Sequence, residues 1–207
     1  MRLLAATRSH GKQRELRRLL MAAGHEVLFP EDVGLPESAD EAALEVHDSF
    51  EANARAKAEY FARRTSLPTV ADDSGLEVLS LGGLPGVRSK RFAGASGTPA
   101  DVDAANNAEL LRRLIGAPEN RRAARFRCCL VLLRTPTAVP EVFEGSCGGR
   151  ILEQPAGAGG FGYDPLFFVT ELGVTLAEAS ADQKDRVSHR GRAVAALVAA
   201  LSPPEAR

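Results

Sequence analysis

Residues 68–75 read Pro-Thr-Val-Ala-Asp-Asp-Ser-Gly. The apolar half predicts a short buried strand, with Asp72 and Asp73 at its end. Successive side chains of a strand point to opposite faces, so one carboxylate can bind a metal ion or a backbone group while the other reaches into a cleft. A Mg²⁺ ion would offset the repulsion between them. A turn that caps the strand at Ser74 and Gly75 explains the same residues equally well.

The chain on the N-terminal side of this stretch alternates between strand and helix signals. Residues 2–6 predict a strand and residues 7–12 a polar turn, after which leucines at helical spacing predict a helix. Residues 27–29 predict a second strand. The acidic residues 31–48 are expected to be mostly loop, and Ser49 is expected to be the N-cap of another helix.

The chain on the C-terminal side predicts a helix, a hairpin, a further strand and a last helix. The first helix is expected at residues 100–114, and residues 124–133 and 139–145 predict two strands joined as a hairpin. Glycines crowd a loop ahead of a strand at residues 166–169, and the last helix is expected at residues 193–201. This order predicts a mixed α/β fold with two lobes around a cleft.

Composition limits the class of protein. The 207 residues are 44% hydrophobic and show no repeat, so we expect one domain at residues 1–207, with residues 202–207 as a flexible tail. The formal net charge of −1 argues against a nucleic-acid partner. No apolar run is long enough to span a bilayer, and no signal-peptide pattern is present, so we expect a cytoplasmic protein with no membrane partner. The cysteines predict reduced thiols, because their spacing suits neither disulfides nor zinc.

The polar turn at residues 7–12 has the composition of an anion site. It leads into a helix N-terminus, where backbone N–H groups and the helix dipole favour a phosphate, and it contains Thr7, Ser9, Gly11 and Lys12. The spacing is not that of a P-loop, and no dinucleotide-binding fingerprint follows a strand. An ordinary polar loop between a strand and a helix remains the alternative.

Two further groups of residues could bind a flat, charged ligand. Residues 161–164 place two aromatic rings and a carboxylate on a glycine-rich loop, which suits a stacked heterocycle. A loop packed by its own rings fits the same pattern. Positive charge and hydrogen-bond donors also gather ahead of the last helix, at Lys184, Ser188, His189 and Arg190. A solvated helix start is the alternative for this second group.

The basic residues are unevenly divided, with 22 arginines and 4 lysines. A lysine kept in such a chain marks a position where a compact ammonium group is wanted, and Lys12, Lys57 and Lys184 all lie in candidate motifs. The densest basic run, residues 121–127, could contact nucleic acid. An exposed strand face is the favoured interpretation, because apolar residues alternate with the arginines and no wider basic excess exists.

Six motifs follow one another along the chain. In order they are Ala-Thr-x-x-x-Gly-Lys at residues 6–12, Ser-Phe-x-x-Asn-x-x-x-Lys at 49–57, Ala-Asp-Asp-Ser-Gly-Leu at 71–76, Leu-Gly-Gly-Leu-Pro-Gly at 81–86, Gly-Gly-Phe-Gly-Tyr-Asp-Pro-Leu-Phe at 159–167 and Lys-x-x-x-Ser-His-Arg-Gly at 184–191. This series resembles the inosine triphosphate pyrophosphatase family, also called dITP/XTP pyrophosphatases, over essentially the whole chain. The resemblance implies an α/β fold with an elongated central mixed β-sheet, flanking helices, two lobes around a nucleotide cleft, and a homodimer.

The resemblance also implies Mg²⁺-dependent hydrolysis of deaminated purine nucleoside triphosphates, such as ITP, dITP and XTP, to the monophosphate and pyrophosphate. Carried onto this chain, Asp73 resembles the general base, and Glu45, Asp72 and Asp73 resemble the metal-binding acids. The positions on the phosphate side are Thr7, Arg8, Ser9, His10, Gly11, Lys12, Lys57 and Ser74. The positions on the base and sugar side are Phe161, Gly162, Tyr163, Asp164, Lys184, His189 and Arg190.

The chain departs from the family pattern at two positions. Ser9 stands where the phosphate loop usually has Asn, and its shorter side chain does not reach as far. Ala52 replaces the usual Glu of the helix motif, so we expect Glu45 rather than Glu51 to supply the acid. Two alternative functions remain at this point: a related pyrophosphatase for other modified triphosphates, and a non-catalytic nucleotide-binding regulator. The retained acids and lysines argue against the regulator.

Overall fold

The structure, a computed structural model, describes residues 1–201 as a seven-stranded sheet with flanking helices. The strands are β1 Arg2–Ala5, β2 Glu26–Leu28, β3 Thr69–Val78, β4 Ala123–Leu133, β5 Glu141–Ile151, β6 Phe167–Val169 and β7 Val174–Thr175. The α-helices are α1 His10–Ala22, α2 Phe50–Thr65, α3 Pro99–Arg113, α4 Ala181–Val187 and α5 His189–Leu201. The predicted tail, residues 202–207, lies outside the described residues.

The sheet mixes parallel and antiparallel pairs in the order β2-β1-β3-β4-β5-β6-β7. β1 is parallel to β2, with Leu3 opposite Val27, and parallel to β3, with Ala5 opposite Val70. β6 is antiparallel to both β5 and β7. The expected mixed sheet with flanking helices is therefore confirmed. The register also fixes one feature of the site, because the chain leaving Ala5 passes beside Asp72, two residues after Val70.

The chain divides into two compact units. Unit 1 contains residues 1–73, residues 128–145 and the segment that begins at His189, and unit 2 contains residues 74–127 and 146–188. Each unit has its own hydrophobic core. The core of unit 1 includes Leu3, Leu16, Leu20, Val70, Leu130 and Leu197, and that of unit 2 includes Leu76, Leu110, Phe126, Leu166, Phe167 and Leu176. The single domain predicted for residues 1–207 remains a prediction.

Two predicted element boundaries are wrong. β3 does not end at the two aspartates but continues to Val78, because buried cationic partners compensate the carboxylates, as described below. The last helix begins at His189, four residues before its predicted start, so His189 and Arg190 belong to α5.

Other parts of the chain contain more regular structure than the sequence predicted. The acidic stretch expected to be mostly loop contains two 3₁₀ helices, Pro30–Val33 and Ala39–Glu45. Neither α4 nor β7 was predicted. The two strands expected to form a hairpin, β4 and β5, are neighbours in the sheet as predicted.

The basic run at residues 121–127 is engaged within the fold. Arg122 is buried and donates to the main-chain oxygens of Leu114, Ile151 and Leu152 at 2.8–3.0 Å. The two arginines that follow on β4, at positions 125 and 127, pair with a single glutamate of β3. Among residues 1–201, no helix is both long and apolar enough to cross a bilayer.

Candidate active site

Asp73 on β3 is held between two side chains of α2. Its Oδ1 accepts a hydrogen bond from Lys57 Nζ at 3.0 Å, and its Oδ2 accepts one from Asn53 Nδ2 at 3.0 Å. The two donors lie one turn apart on a helix that Ser49 caps as predicted, its Oγ accepting from Ala52 N. Asp73 is 7% exposed. The carboxylate is therefore fixed in orientation, and each oxygen has a second lone pair available for a water molecule.

Lys57 connects the two acids of the predicted site. Its Nζ donates to Glu45 Oε1 at 3.1 Å, to Asp73 Oδ1 at 3.0 Å and to the main-chain oxygen of Asp72 at 2.6 Å. Burial lowers the pKa of Lys57, but the charges of Asp73 and Glu45 outweigh it, and the pKa is raised above its ordinary value. The ammonium group stays charged. Its three donors meet three acceptors, so Lys57 orients the acids in this structure.

The neighbouring carboxylate, Asp72, lies in a buried ionic network. Its Oδ2 accepts from Arg190 Nε at 2.8 Å and from Cys128 Sγ at 3.1 Å, and its Oδ1 pairs with Lys12 Nζ. Arg190 also pairs with Glu15 of α1. Burial would raise the pKa of Asp72, but Arg190 and Lys12 hold it well below its usual range. Cations contact both oxygens, so Asp72 has a structural role in this network, and its predicted role as a metal ligand stays a prediction.

The remaining two acids suit a metal ion that is bound mainly through phosphates. Among the described residues, no group of three or more His, Cys, Asp or Glu side chains has the arrangement of a metal site. Mg²⁺ in nucleotide enzymes needs only one or two carboxylates, with phosphate oxygens and waters completing its shell. Glu45 and Asp73 share the ammonium group of Lys57 and form such a pair, and Glu45 is the more exposed of the two. The donor set therefore fits Mg²⁺.

The predicted phosphate loop forms the start of α1. Ser9 is the N-cap residue, and its main-chain oxygen accepts from Gln13 N at 2.8 Å. The Ser9 N–H group donates to Thr7 Oγ1 at 3.2 Å, which tightens the turn before the helix. His10 is exposed and Gly11 is buried at the first positions of α1. The N–H groups of this first turn carry the partial positive charge of a helix N-terminus, which suits a phosphate group.

Lys12 and Lys57 converge on one atom. Lys12 Nζ lies 3.4 Å from the main-chain oxygen of Asp72, which also accepts from Lys57 Nζ. The structure thus brings together residues from α1, α2 and β3, as their motifs predicted. We call the set Glu45, Asp72, Asp73, Lys12, Lys57 and Arg190 the charged cluster.

Arg8, predicted to bind substrate, directs its guanidinium group into the protein. Nε and Nη2 donate to the two oxygens of Glu41 at 3.0 and 2.7 Å. Nη1 and Nη2 donate to the main-chain oxygens of Leu35 and Pro36, both at 2.9 Å, and Nη1 donates to Glu31 at 3.2 Å. These five bonds use the five donors of an arginine. Arg8 therefore fastens the acidic segment to the phosphate loop, and its predicted substrate contact stays a prediction.

In unit 2, the loop at residues 160–164 is closed by its own aspartate. Asp164 Oδ2 accepts from Phe161 N at 2.8 Å and from Lys184 Nζ at 2.5 Å. Gly162 has a φ of 62°, which a glycine adopts without steric cost. Lys184 Nζ lies 5.0 Å from the centre of the Phe161 ring. The loop therefore offers a half-buried aromatic ring beside a cation.

Tyr163 belongs to the core of unit 2. It is 4% exposed, and its hydroxyl donates to the main-chain oxygen of Ser89 at 2.8 Å. Burial raises the pKa of this hydroxyl. The stacking role predicted for either aromatic ring of the loop is therefore left to Phe161, and Tyr163 anchors the loop instead.

The first residues of α5 are buried in unit 1. Arg190 is 1% exposed and directs its guanidinium group at Asp72 and Glu15, and its predicted contact with a base stays a prediction. His189 is buried at the first position of α5, and Ser74 is half-buried on β3. Their contacts with a nucleotide stay predictions.

The sequence reasoning missed several residues that support these sites. Glu15 supports the charged cluster through Arg190, and Asp103 and Asn107 contact loop 160–164. A usable signal existed for Glu15, because a lone acid on the leucine face of α1 predicts a buried ion pair. For the others the partners are far apart in sequence, and no local pattern indicates them.

Comparisons with known proteins agree with this picture. The sequence model of the Ham1 family matches residues 3–200. The chain belongs to the Ham1 family. It is 44% identical to a dITP/XTP pyrophosphatase of Yersinia pseudotuberculosis over 97% of this chain and 98% of that protein. It is 43% identical to the dITP/XTP pyrophosphatase of Escherichia coli K12 over the same shares.

Solved structures of Ham1 proteins share the fold. A HAM1 protein from Coxiella burnetii has a TM-score of 0.82 at 33% identity, covering 97% of this chain and 98% of its own. A nucleoside-triphosphatase / dITP/XTP pyrophosphatase from Mycobacterium abscessus has a TM-score of 0.72 at 43% identity, covering 95% and 98%. The resemblance drawn from the six motifs is thereby confirmed for this Ham1 chain.

Proposed function

We propose that this protein hydrolyses deaminated purine nucleoside triphosphates, such as ITP, dITP and XTP, to the monophosphate and pyrophosphate. The observation that carries the proposal is the Asp73 carboxylate, which Lys57 and Asn53 orient from both sides. A carboxylate held in this way can accept a proton without turning away from its target. Relatives named dITP/XTP pyrophosphatase, which match nearly the whole chain, support the same reaction.

Asp73 acts as the general base in this reaction. It takes a proton from a water molecule as the water oxygen forms a bond to the α-phosphorus, and the bond from that phosphorus to the bridging oxygen breaks. Pyrophosphate leaves with the bridging oxygen. Lys57 holds Asp73 in its orientation, and its own charge offsets part of the negative charge that the phosphates bring to the cluster.

The phosphates are bound by the start of α1 and by two acids with Mg²⁺. Backbone N–H groups from His10 onward donate to phosphate oxygens, and Lys12 adds a compact positive charge. Glu45 and Asp73 would hold Mg²⁺, which supplies charge neutralisation on the polyphosphate when bound.

The purine is recognised by loop 160–164 and Lys184. Phe161 stacks on the ring system, which any purine permits. Lys184 is a donor beside that ring. A 6-oxo group accepts from such a donor, whereas a 6-amino group would place donor against donor, at a cost of about 1–3 kcal/mol for the unsatisfied group. This contrast favours deaminated purines over ATP.

A pyrophosphate-release assay with ITP, XTP, dGTP and ATP tests the proposal. We expect turnover of ITP and XTP to exceed that of ATP by at least about tenfold and to require a divalent cation. Preference for another modified triphosphate would favour a related pyrophosphatase. Nucleotide binding without any pyrophosphate release, in a protein with a normal thermal transition, would favour a regulator.

We further propose that the protein works in the cytoplasm as a homodimer. The three cysteines are free thiols buried in the fold, which suits a reducing compartment. Light scattering of the purified protein at two concentrations tests the dimer, and a mass of one chain at both would contradict it.

A further inference from the structure

Helix α3 holds both backbone groups of one residue in loop 160–164. The N–H group of Gly162 donates to Asp103 Oδ2 at 2.7 Å, and its carbonyl oxygen accepts from Asn107 Nδ2 at 2.9 Å. Asp103 and Asn107 are four residues apart, so they lie on one face of α3. Neither belongs to the six motifs. The loop therefore has a pair of anchors that the motifs do not include.

The hydrogen bond from Asn107 Nδ2 to the carbonyl oxygen of Gly162 determines the orientation of the Asn107 amide. Within the described residues its Oδ1 is buried and accepts no hydrogen bond. Turning the amide over would place that oxygen against the carbonyl oxygen of Gly162, so the present orientation keeps the bond at the expense of an unsatisfied acceptor. Buried acceptors of this kind are rare and call for an explanation. The explanation here is that the Gly162 carbonyl must be held.

The helix that carries the two anchors is itself fixed. Asn106 Nδ2 donates to the main-chain oxygen of Lys90 at 3.0 Å, and its Oδ1 accepts from Ala93 N at 2.8 Å. Tyr163, the residue after Gly162, bonds the main-chain oxygen of Ser89 in the same segment. Two successive loop residues are thus attached to one scaffold within unit 2.

Gly162 is the place where the loop needs such anchors. Its φ of 62° is one of many conformations that glycine populates with similar ease, so the backbone does not favour it by itself. Phe161, directly before it, is the ring proposed to stack on the purine, and Phe161 N bonds Asp164, the partner of Lys184. A rotation at Gly162 would move the ring relative to the cation.

We propose that Asp103 and Asn107 are positioning residues that set the affinity for the purine by holding Gly162 so that Phe161 and Lys184 keep their relative placement. The inference rests on the proposed function, in which this loop receives the base. Both residues act through Gly162, and the proposed function assigns the phosphates and the water to other residues. Their effect should therefore fall on binding of the base and leave the bond-breaking step unchanged.

The test compares Asp103→Ala and Asn107→Ala with two controls. Asp103→Asn keeps an oxygen that can accept from the Gly162 N–H group, and Glu109→Gln makes the same charge change on the same helix at a residue that pairs with Arg112 and Arg113. For each variant we would measure kcat and KM for ITP, equilibrium binding of inosine monophosphate and of pyrophosphate, and the thermal transition.

Each alanine variant should raise KM for ITP and weaken binding of inosine monophosphate by about tenfold, the effect of one lost hydrogen bond. The kcat value should stay within about twofold and pyrophosphate binding should not change. Asp103→Asn should recover most of the affinity, and Glu109→Gln should match the wild type. Asn107→Asp keeps the size of the side chain and loses the donor, so it should behave like Asn107→Ala. It replaces Asn107→Ala in the test if the alanine variant does not fold.

Unchanged binding of inosine monophosphate in the alanine variants would overturn the proposal. So would a parallel loss of pyrophosphate binding and thermal stability, because that pattern marks general damage. Failure of the proposed function is a separate result: the wild type would bind inosine monophosphate without hydrolysing ITP, and the binding measurements would still decide the role of Asp103 and Asn107.

Discussion

The charged cluster of unit 1 and loop 160–164 of unit 2 differ in the kinds of bonds that stabilise each of them. In the cluster, side chains bond side chains, and carboxylates such as Asp72 and Asp73 each meet buried cations. At Gly162 of the loop, side chains bond the backbone, while Asp164 of the same loop forms a buried ion pair with Lys184. Removing one member of a buried ion pair strands its partner, whereas losing one bond to a backbone group costs about 1 kcal/mol. Substitutions should therefore have large effects on rate and stability in the cluster, and small effects on affinity where they remove a bond to Gly162.

The largest effect is expected for Asp73→Asn. The amide cannot take the proton from water, so kcat for ITP should fall about 10³-fold to 10⁴-fold, while nucleotide affinity should stay within about tenfold. Single-turnover measurements with the purified variant and a binding titration check both values. A kcat close to that of the wild type would remove Asp73 from the role of base.

The next effect concerns stability. Arg190→Met leaves Asp72 and Glu15 buried without their shared cation, and the free energy of unfolding should fall by about 3–5 kcal/mol. Denaturant titration measures this loss. Arg112→Met, which removes a surface arginine paired with Glu109, is the matched control and should unfold like the wild type. Similar transitions for both variants would contradict the distinction between the cluster and the surface.

A smaller effect should separate stacking from base reading in the loop. Lys184→Met removes the donor beside the ring, so the ratio of kcat/KM for ITP to that for ATP should shrink by about tenfold. The change also removes the cation of the buried pair with Asp164, so the thermal transition is measured as well and the ratio is taken from folded protein. Phe161→Ala should lower both values together and leave the ratio nearly constant, because every purine can stack. A changed ratio in the Phe161 variant would mean that the ring shapes the loop.

The smallest effect should appear only in acid. Because Arg190 and Lys12 outweigh burial and hold the pKa of Asp72 well below its usual range, this group stabilises the fold above its unfolded pKa of about 3.9. That contribution is lost as the pH falls through the lower pKa of the folded state. The free energy of unfolding of the wild type should therefore decline below about pH 4 more steeply than that of Asp72→Asn. Parallel curves would show that other groups cause the decline.

Much of the site could be predicted because its signals are local. Ser49 as an N-cap and the apolar spacing after it set the phase of α2, and that phase places Asn53 and Lys57 one turn apart. The parallel pairing of β1 with β3 then brings the loop at residues 7–12 beside Asp72. Helix propensity and the pairing of adjacent strands were sufficient to predict the placement of these residues.

The wrong boundary of β3, and the contacts that the sequence did not predict, arise where residues far apart in the chain meet. Two adjacent aspartates predict the end of a strand, yet β3 runs on because Arg190, more than a hundred residues away, compensates Asp72. The donors of Arg8 suit a phosphate, yet the backbone of residues 35 and 36 and the side chain of Glu41 use them. Tyr163 suits stacking, yet Ser89 accepts its hydroxyl. Such partners become visible only when the chain is folded.

The oxygen on which Lys12 and Lys57 converge belongs to the main chain of Asp72. A side-chain acceptor can disappear through a single codon change, but a carbonyl of the backbone is present whatever residue occupies the position. A side-chain substitution can therefore remove this contact directly only at Lys12 or Lys57. In a chain with 22 arginines and 4 lysines, these two positions keep lysine, and arginine there would exchange a compact ammonium charge for a planar guanidinium group. A library that varies both lysines together would measure how strongly selection opposes this exchange.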